Sequence, residues 1–115
     1  MGEFRLKRIE RLLQEEIGSM ILTDEVKDPR VSTFVTVTDV KISKDLMHAK
    51  VLVSSYESIE QLKGSVSALN HAAGFIQGRL ARRLKLRVTP KLSFTPDVSI
   101  REGIELSHKI EEINH

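Results

Sequence analysis

The hydrophobic period of the chain changes from helical to strand-like and back, and this restricts the fold more than any other feature. Residues 4–22 place apolar side chains every three or four positions, as one buried face of a helix requires. Residues 31–43 and 47–55 are rich in β-branched residues, and a short link, KDL (44–46), joins them. The pattern predicts a helix followed by a β-hairpin with one buried face. The helical stripe consists of Leu6, Ile9, Leu13, Ile17 and Met20.

The first of these strands is predicted to contain a β-bulge, because its two apolar pairs are out of phase. Val35 and Val37 share one face, whereas Val40 and Ile42 would lie on the opposite face of an unbroken strand. One extra residue near Thr38–Asp39 brings both pairs to the core side. In the second strand the expected core-side positions are Met47, Ala49, Val51 and Val53.

The second half of the chain returns to helical spacing and then to a strand. One helix is predicted over 57–70, another follows it directly, and Pro90 forces an extended segment at 91–95. Ser99 and Glu102 have the spacing of a capping box that would open a C-terminal helix. The core positions expected in the two central helices are Leu62, Val66, Leu69, Ala73, Ile76, Leu80 and Leu84. The predicted class is α+β, in the order α-β-β-α-α-β with a C-terminal helix, and helices cover one face of a three-stranded sheet.

The composition excludes several classes of function. There is no cysteine, so disulfides, thiolate catalysis and cysteine-ligated zinc are excluded. The four histidines have no metal-ligand spacing, and no phosphate-binding loop or nucleophile elbow is present. No apolar run approaches the length of a membrane span. The 115 residues are therefore predicted to form one cytoplasmic domain that is neither an enzyme nor a metal protein.

The charges are segregated along the chain. Residues 61–96 contain seven Lys and Arg and no Asp or Glu, whereas residues 1–60 contain nine against eleven. A basic block of this kind is typical of a surface that binds a polyanion. If the third helix continues to residue 87, four arginines share one of its faces: Arg79, Arg82, Arg83 and Arg87. Lys85 and Lys91 extend this charge, and the first helix begins with further basic residues, including Arg8 and Arg11.

The stretch NHAAGFIQGRLARRLKLR (70–87) combines helical spacing with two glycines. Glycine inside a helix costs about 1 kcal/mol relative to alanine, so Gly74 and Gly78 each require a reason. We predict a kink at Gly74 that divides the stretch into two helices and directs the arginines that follow. Gly78 is expected to allow close packing against the sheet.

Two classes of function fit this pattern. The first is RNA binding directed at the backbone, with little base specificity, because an aromatic content of 4%, mostly at core-like positions, provides no stacking platform. The second is docking of the basic helix onto a protein or an anionic membrane surface. The membrane alternative requires the apolar stripe of that helix, which is also needed to cover the sheet.

The combined pattern resembles a type II KH domain and, within that fold, the ribosome-binding factor A family. KH domains carry a GxxG loop between the two central helices; this chain has Ala72-Ala73-Gly74 there, as ribosome-binding factor A does. The motifs that carry the resemblance are KDPR (27–30), VTVTDVKISKDL (35–46), AKV (49–51) and LRVTPKLSFTPDVSI (86–100). The resemblance covers about residues 5–106 of a single domain spanning 1–115, and 107–115 would be the end of the C-terminal helix or a tail.

The resemblance implies a non-catalytic assembly factor of the small ribosomal subunit. Such proteins bind the free 30S subunit and its 16S rRNA, assist maturation of the 5′ end of that RNA, and matter most for growth in the cold. The resemblance implies no cofactor, no small-molecule substrate and no membrane, and a monomer suffices. The expected RNA-binding residues are Ala72, Ala73, Gly74, Arg79, Arg82, Arg83, Lys85, Arg87, Lys91, Arg8 and Arg11. The alternative within this class is a KH-like protein for some other RNA.

Overall fold

Residues 2–32 and 34–98 are described by the structure, a computed structural model of the chain. They form helix α1 (Gly2–Leu22), strands β1 (Thr36–Ile42) and β2 (His48–Ser54), helices α2 (Ile59–His71) and α3 (Ala73–Leu84), and strand β3 (Lys91–Pro96). This is the predicted α-β-β-α-α-β order. The predicted C-terminal helix, with its capping box at Ser99 and Glu102, lies outside the described residues, so the domain bounds of 1–115 stay a prediction.

The three strands form one sheet in the order β1-β2-β3. β1 and β2 are antiparallel neighbours, and Leu46 takes a positive φ of 63° in the hairpin between them. β2 and β3 are parallel, because the chain crosses over through α2 and α3 before it returns to the sheet. The predicted bulge is confirmed: the register shifts between Val37 and Asp39, and both Val37 and Val40 are buried.

The first strand begins later than predicted. β1 starts at Thr36, although the β-branched residues from Val31 onward predicted a strand from that point. The Val31 N–H donates to the Asp28 carbonyl at 3.0 Å, which is a turn rather than a ladder hydrogen bond. Val31 and Val35 are nevertheless buried, so their apolar character reflects burial in the core rather than strand pairing.

The core lies between one face of the sheet and the three helices. α1 contributes Leu13, Ile17 and Met20, which are fully buried, and each such side chain stabilises the fold by roughly 1.5–3 kcal/mol. The prediction that Met47 joins the core is wrong, since this residue precedes β2 in the hairpin and is 53% exposed. Other core residues include Val51, Val53, Leu62, Val66, Leu69, Ile76, Leu80, Leu92 and Phe94.

Side chains from α1 cover the outer edge of β1. Glu10 Oε2 accepts a hydrogen bond from the Ile42 N–H at 2.8 Å, and Gln14 Nε2 donates to the Val37 carbonyl at 3.3 Å. These contacts satisfy backbone groups that none of the described strands pairs with on that side. They also fix the position of α1 along β1.

Side chains from α2 and α3 cover the opposite edge in the same way. Gln77 Oε1 accepts from the Leu92 N–H at 3.0 Å, and Asn70 bonds to both backbone groups of Phe94. The two amides lie on either side of the turn between α2 and α3. They therefore hold that turn at a fixed height along β3.

Candidate nucleic-acid interface

The turn between α2 and α3 consists of one residue, Ala72, with φ −87° and ψ 2°. The Ala72 N–H still donates to the Ala68 carbonyl at 3.0 Å, and the Ala72 carbonyl accepts from the Ile76 N–H at 3.0 Å. The N-cap residue Ala72 does not cap the start of α3 with its side chain, because alanine has no hydrogen-bonding group to offer. Among the described residues, the positive end of the α3 dipole therefore has no side-chain acceptor.

The bend is centred on Ala72 rather than on Gly74, which corrects the predicted origin of the kink. Gly74 lies in the first turn of α3, and no glycine in the described part of the chain has a positive φ. A Cβ at Gly74 would meet no atom within 4 Å apart from its chain neighbours and the backbone of its own helix. The same holds for Gly78, so the expected close packing of Gly78 against the sheet is wrong. What glycine provides at position 74 is an open surface without a side chain, next to the bend.

Helix α3 ends too early to carry all four predicted arginines on one face. It ends at Leu84, and Lys85 takes the left-handed conformation (φ 50°, ψ 41°), which stops the helix. Arg87 consequently lies in the connection to β3. The assumption that the helix persists to Arg87 is wrong, although Arg87 itself is exposed.

Arg83 is held by two carboxylates from distant parts of the chain. Its guanidinium donates to Glu16 Oε1 at 2.9 Å, to Glu25 Oε2 at 3.0 Å, and also to Glu25 Oε1. The hydrogen bond from Arg83 lowers the pKa of Glu25, and the bonds to Glu25 and Glu16 raise the pKa of Arg83 above its ordinary value. Arg83 thus ties α3 to α1 and to the loop that follows α1.

Arg79 lies one turn before Arg83 on the same side of α3. Its guanidinium carbon is 5.0 Å from the centroid of the Phe75 ring, within the range of a cation–π contact. The pKa of Glu25 is lowered mainly by Arg83, and to a smaller extent by the charge of Arg79. Within the described residues, the buried Nε of Arg79 has no hydrogen-bond partner. Arg79 is therefore partly engaged within the protein but keeps an unused donor.

Arg82, Lys85 and Arg87 form what we call the α3 basic surface. All three are exposed, and none makes an ion pair with any residue that the structure describes. Arg82 Nε donates to the Gly78 carbonyl at 3.3 Å, which leaves its terminal nitrogens for an incoming ligand. The predicted arginine cluster is thus divided into cations that face carboxylates and cations that face solvent.

Three further predicted contact residues lie on other elements. Arg8 and Arg11 are exposed on α1, about two turns and one turn before Glu16. Lys91 is the first residue of β3 and is the cross-strand neighbour of His48. The structure therefore places Arg79, Arg82 and Arg83 on one helix, and Arg8, Arg11 and Lys91 on other elements.

A pocket beside the bend was missed by sequence reasoning. It has a volume of about 270 Å³, and it is lined by the loop 25–28 on one side and by His71, Ala72 and Phe75 on the other. In this loop Asp28 pairs with Arg30, whose hydrogen bonds lower the pKa of Asp28. Phe75 gave a usable signal, because it lies off the apolar stripe of α3 and is 44% exposed. The sequence held no comparable signal that the loop would meet the bend.

The aromatic residues are not mostly in the core, contrary to the interpretation of the sequence. Phe94 is buried, whereas the other four aromatics are exposed. The exposed aromatics are Phe4, Phe34, Tyr56 and Phe75. They lie on separate segments, and none belongs to the α3 basic surface. One side of the Phe75 ring already faces Arg79.

Membrane and metal chemistry find no support among the described residues. None of the helices in 2–32 and 34–98 is long and apolar enough to cross a membrane. The same residues contain no cluster of three or more His, Asp or Glu placed to hold a metal ion. Ile76 and Leu80 on α3 are fully buried in the core. The accessible part of α3 therefore consists of its cations, its two glycines and Phe75.

Comparison with known sequences gives one family. A model of the ribosome-binding factor A family matches residues 5–110 of the chain. The ribosome-binding factor A of Treponema denticola is 42% identical over 115 residues, which is 100% of this chain and 87% of that protein. The sequence similarity therefore spans the bend, the α3 basic surface and the three strands.

Solved structures agree with the sequence match. A crystal structure of ribosome-binding factor A from Thermus thermophilus has a TM-score of 0.67 and 31% identity, covering 79% of this chain and 94% of that one. A homology model of Thermus thermophilus ribosome-binding factor A, fitted into a cryo-EM map of a 30S complex, has a TM-score of 0.59 and 32% identity, covering 81% of this chain and 91% of that one. The predicted α+β class and order of elements are confirmed by these similarities.

Proposed function

The chain belongs to the ribosome-binding factor A family, and from this membership we propose that it binds the 30S ribosomal subunit through 16S rRNA as a non-catalytic assembly factor. The proposed role is late maturation and 5′-end processing of 16S rRNA, with particular importance in the cold. We also propose that the protein is cytoplasmic and that it acts as a monomer. Similarity to a protein that was fitted into the map of a 30S complex supports the proposal.

The observation that carries the proposal is the α3 basic surface. Its three cations have no carboxylate partner among the described residues, whereas the neighbouring Arg83 has two. An unpaired cation gains more from a phosphate than a paired one, because no internal ion pair has to break first. Arg82 and Arg87 also carry planar guanidinium groups, each of which can donate two hydrogen bonds to one phosphate.

The bend at Ala72–Gly74 offers the RNA a further contact. The uncapped start of α3 places N–H groups and the positive end of the helix dipole where an anion is favoured. The small side chains of Ala72 and Ala73, and their absence at Gly74, let a phosphate approach the backbone closely. The bend and Lys85 are about 18 Å apart along α3, so an RNA strand following the helix would reach both.

Arg79 and Arg83 have different parts in this proposal. Arg83 is a positioning residue, because its hydrogen bonds to Glu16 and Glu25 hold α3 against α1. Arg79 lies between the bend and the α3 basic surface, and its Nε has an unused donor. This Nε is buried, so a phosphate could reach it only if the side chain moved.

Binding of α3 to a membrane surface is disfavoured by burial. An interfacial helix needs an apolar face to insert, whereas Ile76 and Leu80 are at 0% exposure. Phe75 is the aromatic side chain on α3 that could anchor a protein partner, and it is already covered on one side by Arg79. Phosphate therefore remains the ligand that best fits the accessible groups of α3.

Co-sedimentation with purified bacterial 30S subunits tests the proposed function. We expect the wild-type protein to pellet with free 30S subunits, and the double variant Arg82→Gln/Arg87→Gln to pellet much less at the same salt concentration. The matched control, Lys7→Gln/Lys63→Gln, removes two exposed charges from α1 and α2 and should bind as the wild type does. Unchanged binding by the arginine variant would refute the role of the α3 basic surface. Equal binding to 50S subunits would favour a general RNA-binding protein instead.

A further inference from the structure

The exposed face of the sheet carries a second group of cations, separate from α3. Lys41 on β1 and Lys50 on β2 are cross-strand partners, and His48 on β2 is the partner of Lys91 on β3. All four residues are exposed. Because residues two apart on a strand share a face, Lys50 and His48 lie on the same side of β2, and the four positions form one patch. We call Lys41, Lys50 and Lys91 the sheet lysines.

The sheet lysines have no ion-pair partner in residues 2–32 and 34–98. The acidic residues of β1 and of the hairpin that follows it are Asp39 and Asp45, and both accept hydrogen bonds from groups close to them in sequence. Asp45 accepts a hydrogen bond from Ser43 Oγ at 2.6 Å, and Asp39 accepts from the Val40 N–H at 2.9 Å. Like charges directly opposite one another destabilise a sheet. Stability of the fold therefore gives no reason to place Lys41 opposite Lys50.

The patch is concave between β2 and β3. A shallow pocket of about 320 Å³ lies there, and its polar lining consists of His48, Lys50, Lys91, Ser93 and Thr95. The hydroxyl groups of Ser93 and Thr95 add neutral donors beside the ammonium groups. No phenylalanine, tyrosine or tryptophan lines the pocket. Ammonium and hydroxyl donors around a concave surface suit the oxygens of a phosphate.

We propose that this open face of the sheet binds the phosphate backbone of ribosomal RNA, as a contact separate from the α3 basic surface. The inference rests on the proposed function, since it assumes the same RNA-containing partner. Lys91 follows Arg87 by four residues, so the two surfaces adjoin at the connection between α3 and β3. With the helices on one side of the sheet and the sheet lysines on the other, the protein contacts RNA on two sides.

An RNA backbone fits this face better than a protein does. The outward positions of the three strands carry no tryptophan, tyrosine, phenylalanine or arginine, and tryptophan, tyrosine and arginine are the residues that most often anchor protein interfaces. Lysine is a compact charge that binds phosphate without a fixed geometry. The complementary partner is therefore a polyanion with repeated charges rather than a folded protein surface.

A salt titration of binding to purified 30S subunits tests the proposal. Loss of two phosphate contacts in K41Q/K50Q is expected to make the slope of log K against log salt shallower by about 1.8. The charge-matched control K7Q/K63Q is expected to keep the wild-type slope. A wild-type slope in K41Q/K50Q would overturn the proposal. So would an equal change in the control, because net charge alone would then explain the loss.

The same titration separates this inference from the proposed function. If the slope of log K against log salt is shallower for R82Q/R87Q but not for K41Q/K50Q, the proposal of a sheet contact is refuted and the proposed function stands. If the wild-type protein does not bind 30S subunits, both are wrong. Circular dichroism of each variant is expected to match the wild type, because all four substituted residues are exposed.

Site-specific crosslinking tests the identity of the partner. Because the chain contains no cysteine, S93C places a single thiol on the open face, where a photo-crosslinker can be attached. We expect the label to attach to rRNA in the 30S complex, and excess unlabelled protein to compete it away. Attachment to ribosomal protein alone, or no specific attachment, would overturn the proposal.

Discussion

Asn70 pairs with both backbone groups of Phe94: its Nδ2 donates to the Phe94 carbonyl at 3.0 Å, and its Oδ1 accepts from the Phe94 N–H at 2.8 Å. A neighbouring strand would normally make this pair of bonds, and here one amide side chain makes both. Asn70 lies two residues before the bend at Ala72. The contact therefore couples the position of the bend to the edge of the sheet.

Substitution of Asn70 by alanine is expected to destabilise the fold. It leaves the N–H and carbonyl of Phe94 without their partners, at a cost of about 1–3 kcal/mol. The urea-unfolding midpoint measures this loss. Ser67→Ala, at an exposed position on the same helix, serves as the control and should change the free energy of unfolding by less than about 0.5 kcal/mol. Equal midpoints for the two variants would contradict the assigned role of Asn70.

Arg83 and Arg82 are adjacent in sequence but are expected to respond differently to substitution. Arg83→Gln removes the link from α3 to Glu16 and Glu25, so it should lower the urea midpoint. Arg82→Gln should leave the midpoint unchanged and weaken 30S binding. Arg83→Lys keeps the charge but loses the bidentate geometry, so an intermediate midpoint is expected. A midpoint for Arg83→Gln equal to that of Arg82→Gln would show that the ion pairs do not hold α3.

The contact between Arg83 and Glu25 also predicts a pH dependence. The hydrogen bond from Arg83 lowers the pKa of Glu25 in the folded chain, so the unfolded chain binds more protons in acid. The stabilisation is complete above the unfolded pKa of roughly 4.3 and is lost as the pH falls through the folded pKa. Between about pH 5 and pH 3, the urea midpoint of the wild type should therefore fall more steeply than that of Arg83→Gln. Parallel pH profiles would rule out this contribution.

The two glycines of α3 allow folding to be separated from binding. Gly74→Ala and Gly78→Ala should each stabilise the chain by about 0.5–1 kcal/mol, because the added methyl group meets open space in a helix. Gly74→Val should still fold but should bind 30S subunits more weakly, since its side chain projects beside the bend. Thermal unfolding and co-sedimentation measure the two effects. A large loss of stability in Gly74→Val would contradict the placement of the bend at Ala72.

The parts of the fold that depend on local periodicity were predictable from the sequence. The bulge near Asp39 followed from the phase change between Val37 and Val40, since strand geometry ties phase directly to burial. The division of residues 70–87 into two helices also followed from local composition. The position of the bend between these helices could not be predicted, because alanine at position 72 has no unusual backbone preference that would mark it.

The partners of Arg83 could not be predicted, because Glu16 and Glu25 lie 67 and 58 residues away in sequence. Arginines at positions 79, 82 and 83 look alike in the sequence, and only the packing of α3 against α1 distinguishes them.

The end of α3 at Leu84 could not be predicted from the sequence either. The apolar spacing continues past Lys85, whose left-handed conformation is set by the turn toward β3.

The side chains on the sheet edges limit how molecules of this protein can meet one another. Glu10 and Gln14 cover the edge of the sheet at β1, and Asn70 and Gln77 cover the edge at β3. An uncovered sheet edge has unpaired backbone groups to which a second chain can add a strand, and this is a common route to aggregation. Here the amide and carboxylate groups already hold backbone sites that such a strand would need. The described sheet is therefore protected from growing into a fibre, even where many copies are crowded together.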